Sequence, residues 1–161
     1  MFDIFRRVKK IIIKSPFTGK VIKLNEVPDK VFSEKMVGDG VAIIPESNIL
    51  YAPISGEIIQ LFSTNHALGI RTEEGLEILI HLGIDSVKLG GRGFNNLISE
   101  GEIINTGDKL INVLWEDIEN DIVSIASPLI ITNMEMVKDM NIINKDYVKA
   151  GENLLSIKIW F

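Results

Sequence analysis

Short runs rich in Val, Ile and Leu, separated by Gly or Pro, dominate this chain and limit what it can fold into. Runs of this length between turn residues predict β-strands. They lie at residues 20–24, 41–44, 57–61, 76–82, 110–113 and 153–159. Strands do not alternate with long helices, which argues against a parallel α/β sheet. The pattern therefore predicts an all-β, mostly antiparallel sandwich or barrel.

The chain repeats part of its own pattern, a proline turn that leads into a strand. Residues 15–24 are echoed 37 positions later by residues 52–61, and both copies contain Pro-x-(Thr/Ser)-Gly followed by an alternating run. A weaker echo links residues 106–111 to residues 150–155. Repeated units that share one core indicate internally duplicated halves. We therefore expect one β domain that is built from duplicated halves.

A few short helices are predicted beside the strands. Residues 115–122 carry apolar side chains at positions 115, 118 and 122, which is helical spacing. Residues 132–135, with the sequence TNME, have the form of a capping box ahead of apolar residues at 136, 137 and 140. Both segments are short, so we expect the helices to be minor elements around a β core.

The composition is that of a globular domain and excludes several classes of protein. Hydrophobic residues make up 46% of the 161 residues, and the net charge of −5 argues against nucleic acid as a partner. The absence of cysteine removes disulfides, thiol catalysis and cysteine–zinc sites, and it fits a reducing compartment. No apolar run exceeds four residues, so none is long enough to cross a bilayer. We expect a cytoplasmic protein.

The first ten residues differ from the rest and are predicted to form a basic, amphipathic arm ahead of one domain over residues 11–161. On a helix, Met1, Phe5 and Val8 would share one face, with cations at positions 6, 7, 9 and 10 on the other side. Such a segment could make weak, reversible contact with an anionic membrane surface. The alternative is a frayed terminus without that role.

The two histidines, His66 and His81, are the candidates for chemistry near neutral pH. A histidine with an ordinary pKa of about 6.5 is mostly neutral at pH 7, so one ring nitrogen has a free lone pair that can attack phosphorus. The second ring could donate an N–H to the phosphoryl oxygens if the Thr64 hydroxyl fixes its tautomer. A purely structural histidine is the alternative at each position.

A phosphoryl group on a histidine would repel nearby carboxylates. It adds roughly one and a half to two negative charges. At about 4 Å and an effective dielectric constant near 20, a carboxylate would cost roughly 4 kcal/mol for each unit of that charge. Asp85 follows His81 by four residues. We therefore expect its carboxylate to point outward, towards cations of a partner protein.

Three motifs give the chain its resemblance to a known family. They are residues 27–40 (VPDKVFSEKMVGDG), residues 64–67 (TNHA) and residues 81–85 (HLGID). From about residue 12 to residue 159, the chain resembles the glucose-type IIA component of the bacterial phosphoenolpyruvate-dependent sugar phosphotransferase system. The resemblance implies a β-sandwich with duplicated halves. It also implies that His81 accepts the phosphoryl group, that His66 assists transfer, and that Thr64 orients His66.

The same resemblance implies that the chain is a phosphotransferase component that needs no cofactor. It also implies the partner proteins. The family takes its phosphoryl group from the histidine phosphocarrier protein and passes it to a cysteine in the IIB domain of a sugar permease. Both partners would dock on an apolar patch around the histidines, with Asp29 and Asp85 meeting basic residues of the donor. By position, the patch consists of Phe32, Met36, Val37, Phe62, Leu68 and Ile80. Regulatory proteins are further partners of the family.

Two further features bear on these partners. Lys88 occupies a position near the docking rim where the family often has an acidic residue, which could change partner affinity. The start at Met1 leads us to expect a free carrier rather than a domain of a fused permease.

A zinc metallopeptidase is one alternative reading. Its HxGxD ligand motif, on a similar duplicated β fold, is matched by residues 81–85. Zinc hydrolases normally use three protein ligands and a water, whereas this chain has two histidines and lacks the additional His-x-His of those peptidases. His66 and His81 could still hold zinc transiently together with a carboxylate of a partner. A zinc assay separates the two readings.

A lipoyl or biotinyl carrier domain is the other alternative. Its Pro-x-x-Gly repeats resemble those at residues 16–19 and 53–56. Biotinyl carriers present a lysine between two methionines, but the residue between Met134 and Met136 is Glu135. Lipoyl or biotin mass on the cellular protein would favour this reading.

Overall fold

Fourteen β-strands and two short α-helices make up the described part of the chain, residues 6–161, in a computed structural model. The strands are β1 (Val8–Lys14), β2 (Gly19–Lys23), β3 (Asp39–Pro45), β4 (Ile49–Tyr51), β5 (Gly56–Leu61), β6 (Ala67–Arg71), β7 (Glu77–His81), β8 (Phe94–Asn96), β9 (Ile103–Ile104), β10 (Lys109–Val113), β11 (Ser127–Ile131), β12 (Val137–Ile142), β13 (Tyr147–Val148) and β14 (Asn153–Trp160). The helices are α1 (Lys30–Ser33) and α2 (Trp115–Ile118). Short 3-10 turns lie at Leu24–Glu26, Val87–Leu89, Glu119–Asp121 and Met134–Met136.

The strands form three sheets in which the neighbouring strands are antiparallel. The largest sheet has eight strands in the order β13-β2-β3-β11-β7-β6-β5-β9. Two three-stranded sheets, β1-β14-β12 and β4-β10-β8, complete this part of the chain. Each of the six apolar runs of the sequence overlaps a strand. The prediction of an antiparallel all-β fold with a few short helices is confirmed.

The central strands of the eight-stranded sheet are buried on both faces, which explains their almost continuously apolar sequences. Successive side chains of a strand point to opposite faces. In β3, Val41 and Ile43 therefore pack in the main core, while Ala42 packs in a second, smaller core. The second core consists of Ile22, Leu24, Val27, Phe32, Ala42, Ile84, Ala126 and Ile130. Residues 24–37 supply much of it and cover the second face.

The duplication predicted from the repeats is visible in the backbone hydrogen bonds. The Lys14 N–H donates to the Pro53 carbonyl at 2.9 Å, and its counterpart in the repeat, the Tyr51 N–H, donates to the Pro16 carbonyl at 3.0 Å. The adjacent residues also form a matched pair, because the Ser15 N–H donates to Glu152 and the Ala52 N–H donates to Asp108. The two halves therefore cross at equivalent residues.

The predicted N-terminal arm ends earlier than residue 10. Val8 is the first residue of β1 and pairs with Trp160 of β14, so it is extended and does not continue a helical face. Met1 and Phe5 lie outside the described residues. Residues 8–10 thus belong to a sheet, because β14 supplies their backbone partners.

The helix predicted after residue 132 is also corrected. Only a 3-10 turn forms at Met134–Met136, and residues 137–142 are strand β12. The Asn133 side chain accepts from the Glu77 N–H at 2.9 Å and donates to the Gly75 carbonyl at 2.8 Å, which attaches this turn to the β6–β7 hairpin. Residues 137–142 then pair with β14, and this pairing outweighs their local preference for a helix.

The helix predicted over residues 115–122 is shorter than expected. It consists of α2 and a 3-10 turn that ends at Asp121. Within residues 6–161, no helix has the length and apolar character needed to span a bilayer.

Candidate active site

The ends of two neighbouring strands bring the two histidines together. His81 is the last residue of β7, and His66 immediately precedes β6. In the antiparallel pair, Ala67 lies opposite His81, and the Leu82 N–H donates to the His66 carbonyl at 2.7 Å. The two imidazole ring centroids are 5.0 Å apart, with an angle of 78° between the ring planes. Residues that are 15 positions apart in the sequence thus form one site.

A backbone carbonyl fixes the tautomer of His81. The Nδ1 atom of His81 lies 2.7 Å from the carbonyl oxygen of Gly83. A carbonyl can only accept a hydrogen bond, so Nδ1 carries the proton and Nε2 of the neutral ring holds the lone pair. Gly83 has φ of 75°, and a Cβ there would come within 2.9 Å of Ile122 Cδ1. Only glycine fits this turn without strain.

A hydroxyl, rather than a carbonyl, holds His66. Its Nδ1 forms a hydrogen bond with Thr64 Oγ1, in the turn where the Asn65 N–H donates to the Phe62 carbonyl. The Phe62 ring stands edge-on to His66, with centroids 5.3 Å apart. His66 is only 5% exposed. Thr64 therefore contacts His66 as predicted from the motif.

Both histidines are neutral at pH 7 because their pKa values are below the usual 6.5. Burial, and then the charge of the neighbouring His81, lowers the pKa of His66 to about 4. Burial also lowers the pKa of His81, although its hydrogen bond to Gly83 and the charge of Asp29 act in the opposite direction. A neutral ring is the nucleophilic form of histidine, so both rings are in that form at neutral pH.

Two of the six apolar residues predicted for docking, Phe32 and Phe62, pack on the histidine rings. The Phe32 ring packs on His81 with centroids 5.0 Å apart, although Phe32 itself is buried. Met36 is 68% exposed, and Val37 and Phe62 are half-buried. The turn of helix that carries Phe32 is capped by Asp29, whose side chain accepts from the Val31 N–H at 2.8 Å.

Leu68 and Ile80 do not belong to the docking surface. They face each other across β6 and β7 in the main core, and they are 0% and 1% exposed. Ile80 precedes His81 in a strand, so its side chain points to the opposite face of the sheet. The docking patch predicted from sequence is corrected by removing these two residues.

The sequence interpretation did not include three further apolar residues in the segments that carry Phe32 and His81. Val31 in α1 and Val87 in the turn after His81 are 41% and 54% exposed. Leu79 is half-buried and packs against the second core, on the same face of β7 as His81. Alternation along β7 would have pointed to Leu79 in place of Ile80.

Two carboxylates flank the apolar residues. Asp29 is close enough to raise the pKa of His81 against the effect of burial. Asp85 is exposed and forms an ion pair with Lys88 at 2.7 Å. Its backbone has φ of 65°, in the left-handed region. Asp85 therefore points outward as predicted, but a cation of this chain already contacts it.

The described residues offer only the two histidines, His66 and His81, as metal ligands at this site. Within residues 6–161, no group of three or more His, Asp or Glu side chains is arranged to hold a metal ion. The three-ligand set that zinc hydrolases use is thus not found in the described part of the chain.

Comparisons with known proteins identify the family. The family model described as phosphoenolpyruvate-dependent sugar phosphotransferase system, EIIA 1, matches residues 11–137. A Staphylococcus aureus protein named PTS system glucose-specific EIIA component is 41% identical over 144 residues, which are 89% of this chain and 87% of that protein. A Mycoplasma capricolum protein of the same name is 41% identical over 150 residues, covering 93% of this chain and 97% of that protein.

A solved structure agrees with this assignment. Glucose permease IIA from Mycoplasma capricolum superimposes with a TM-score of 0.88 at 41% identity, over 92% of this chain and 96% of that chain. The resemblance found in the motifs is thus confirmed for both sequence and fold. The chain belongs to the EIIA family of the phosphoenolpyruvate-dependent sugar phosphotransferase system, and it is a phosphoryl carrier in sugar uptake.

Proposed function

We propose that the carrier works through a phosphohistidine formed on Nε2 of His81. The observation that carries this proposal is the hydrogen bond of His81 Nδ1 to the Gly83 carbonyl, since it leaves the lone pair on Nε2. Burial keeps the ring neutral at pH 7. Because the tautomer is fixed, no proton has to move between the ring nitrogens of His81 before Nε2 attacks.

The transfer itself exchanges one phosphorus–nitrogen bond for another. Nε2 of His81 attacks the phosphorus carried by a histidine of the donor, and a new P–N bond forms as the donor's P–N bond breaks. The electron pair of the broken bond stays on the donor nitrogen, while the Nδ1 proton of His81 stays on Nδ1, hydrogen-bonded to the Gly83 carbonyl. In the onward step a cysteine thiolate attacks the phosphorus, and the electron pair returns to Nε2.

His66 is proposed to stabilise the phosphoryl group as a hydrogen-bond donor. If the Thr64 hydroxyl donates to Nδ1, the proton of the neutral His66 ring is on Nε2. The ring centroids are 5.0 Å apart, and we propose that this N–H donates to a phosphoryl group on His81. A donor already in place costs no reorganisation when negative charge arrives.

The donor is proposed to be the histidine phosphocarrier protein, and the acceptor the IIB domain of a glucose permease. The name of the relatives, glucose-specific EIIA component, supports glucose as the sugar. Both partners would dock on the exposed or half-buried apolar residues around the histidines, with Asp29 and Asp85 contacting cations. The apolar residues are Val31, Met36, Val37, Phe62, Leu79 and Val87. Regulatory proteins would dock on the same patch.

No cofactor enters this mechanism, because both bond exchanges use side chains alone. Zinc is proposed only as a transient ligand of His66 and His81, where a partner contributes a carboxylate as the third protein ligand.

Phosphorylation from purified components tests the proposal. With phosphoenolpyruvate, enzyme I and the histidine phosphocarrier protein, the wild-type chain should gain one acid-labile phosphoryl group, and peptide mapping should locate it on His81. The His81→Gln variant should gain none, because it lacks the nucleophile. The His66→Gln variant is the matched control and should still be labelled. Labelling of His81→Gln at the normal rate would overturn the assignment.

A further inference from the structure

A cavity lies away from the histidines, between the two repeats of the chain. It has a volume of about 560 Å³, and its lining includes Lys14, Thr18, Ser47 and Tyr51. Thr106, also in the lining, contacts Ser55 at the start of β5, and β5 leads from there to Phe62 beside His66. A strand of six residues spans roughly 20 Å. The cavity is therefore separate from the phosphoryl-transfer site, and the proposed function makes no use of it.

The cavity lies where the duplicated halves cross. Lys14 and Tyr51 occupy equivalent positions of the main repeat, 37 residues apart. Gly107 and Gly151, from the weaker repeat, also line the cavity as an equivalent pair. Their N–H groups donate to equivalent carbonyls, Ala52 and Ser15, at 2.9 Å each. The backbone of the site is thus nearly symmetric, while Lys14 and Tyr51 make its chemistry asymmetric.

The strand pairing is irregular beside each of these two lining side chains, and in both cases the extra residue belongs to the partner strand. The register of β1 and β14 shifts between Ile13 and Lys14, and that of β4 and β10 shifts where Tyr51 pairs with Lys109. Bulges redirect side chains and are common beside functional sites. The unpaired residues are Leu154 and Leu110, which are buried in the main core beside the cavity-lining Lys14 and Tyr51.

The ammonium of Lys14 has a neutral partner. Its Nζ donates to Asn153 Oδ1 at 2.6 Å, and no carboxylate of residues 6–161 lies within ion-pair distance. The residue is half-buried. A partly buried cation without a counter-charge favours an anionic ligand.

The hydroxyl groups of the cavity are available as donors. Thr18 Oγ1 accepts the Ala150 N–H at 2.9 Å, and Ser47 Oγ accepts the Thr18 N–H at 3.1 Å. Because these oxygens already accept a hydrogen bond, their own protons are free to be donated to a ligand. With the half-buried Tyr51, the lining combines one cation with several O–H donors. Such a set matches a ligand that is rich in oxygen and carries one anionic group.

We propose that this cavity binds a phosphorylated sugar. The phosphate lies against the Lys14 ammonium, and the sugar hydroxyls meet Thr18, Ser47 and Tyr51. The volume of about 560 Å³ is in the range of small-molecule sites. The proposal is independent of the phosphohistidine mechanism, because none of these residues contacts His66 or His81.

Titration of the ¹⁵N-labelled full chain with glucose 6-phosphate at pH 7 tests this site. We expect saturable shifts of the Thr18, Gly107 and Gly151 amide signals. The Lys14→Gln variant should bind about tenfold or more weakly, since it loses a charge-assisted contact. Lys10→Gln is the matched control, because it removes the same charge from the exposed half of the same strand, and it should bind like the wild type. His81→Gln should also bind normally, which separates this site from phosphoryl transfer.

Glucose alone and inorganic phosphate alone identify the ligand class. Each should bind about tenfold or more weakly than glucose 6-phosphate, because each makes only part of the contacts. Tyr51→Phe should weaken glucose 6-phosphate more than inorganic phosphate. The proposal is overturned if no saturable shifts occur at the cavity, if Lys14→Gln binds like the wild type, or if inorganic phosphate binds as tightly as glucose 6-phosphate.

Discussion

His66 lies just before β6 and His81 at the end of β7, yet their Nδ1 atoms have different kinds of partner. His81 faces the Gly83 carbonyl, which can only accept a hydrogen bond. His66 faces the Thr64 hydroxyl, which can both donate and accept. The carbonyl imposes one tautomer on His81, whereas the hydroxyl can form a hydrogen bond with either tautomer of His66. The comparison teaches that a carbonyl fixes the tautomer of His81, whereas the tautomer of His66 depends on the direction in which the Thr64 hydroxyl donates.

The largest difference between the two rings should appear in onward transfer. Unlike His81→Gln, the His66→Gln variant should accept the phosphoryl group, because its nucleophile is intact. Transfer to the IIB cysteine should slow by about 10²–10³-fold, the usual cost of losing one pre-placed donor to a developing anion. Rapid-quench transfer from the phosphorylated chain to a purified IIB domain measures this rate. Equal transfer rates for His66→Gln and the wild type would contradict the assisting role proposed for His66.

The next largest effect should be the contribution of His66 to the pH dependence of folding stability. The folded-state pKa of His66, about 4, is below its unfolded value of 6.5, so folding favours the neutral ring. This stabilisation is fully present above pH 6.5 and is lost as the pH falls towards 4. It amounts to up to about 3 kcal/mol, at about 1.4 kcal/mol for each pKa unit.

Urea unfolding of the wild type and of His66→Gln between pH 7 and pH 4 measures this contribution. The free energy of unfolding should fall less steeply with acid in the variant, since one depressed pKa is gone. Parallel curves for the two proteins would contradict a buried, neutral His66.

The smallest predicted effect concerns the exposed carboxylate of Asp85. Lys88 forms an ion pair with Asp85, so it competes with cations of the donor protein. Lys88→Gln should strengthen donor binding by up to about fivefold at low salt, the range of an exposed ion pair. Lys145→Gln, a charge removed elsewhere on the surface, is the control. Calorimetric titration should show the gain shrinking at high salt, and weaker binding by Lys88→Gln would contradict the competition.

Much of the fold was predictable because local signals and tertiary packing agree. The apolar runs became strands, and the Pro-x-(Thr/Ser)-Gly repeats became equivalent crossing points of two halves. Prediction failed after Thr132, where a helix-start signal is local but the partner strand β14 is distant in sequence. A capping pattern cannot report such long-range pairing.

The candidate site was predictable in its chemistry and less so in its surface. The motifs located His66, His81 and Thr64, which the fold brings together. The resemblance included Ile80 in the docking patch by position, but Ile80 is buried, since neighbours in a strand point to opposite faces. Val31 and Val87 are exposed although they are apolar. A short motif does not show which of its apolar residues are exposed.

The central claim is that the Gly83 carbonyl leaves Nε2 of His81 as the nucleophile. A long-range ¹H–¹⁵N NMR spectrum of the chain, with ¹⁵N-labelled histidines and after phosphorylation by the donor, tests it most directly. The account predicts phosphorus coupling at Nε2 of His81, with Nδ1 still protonated and His66 unmodified. Phosphorus coupling at Nδ1 of His81, or at either nitrogen of His66, would contradict it.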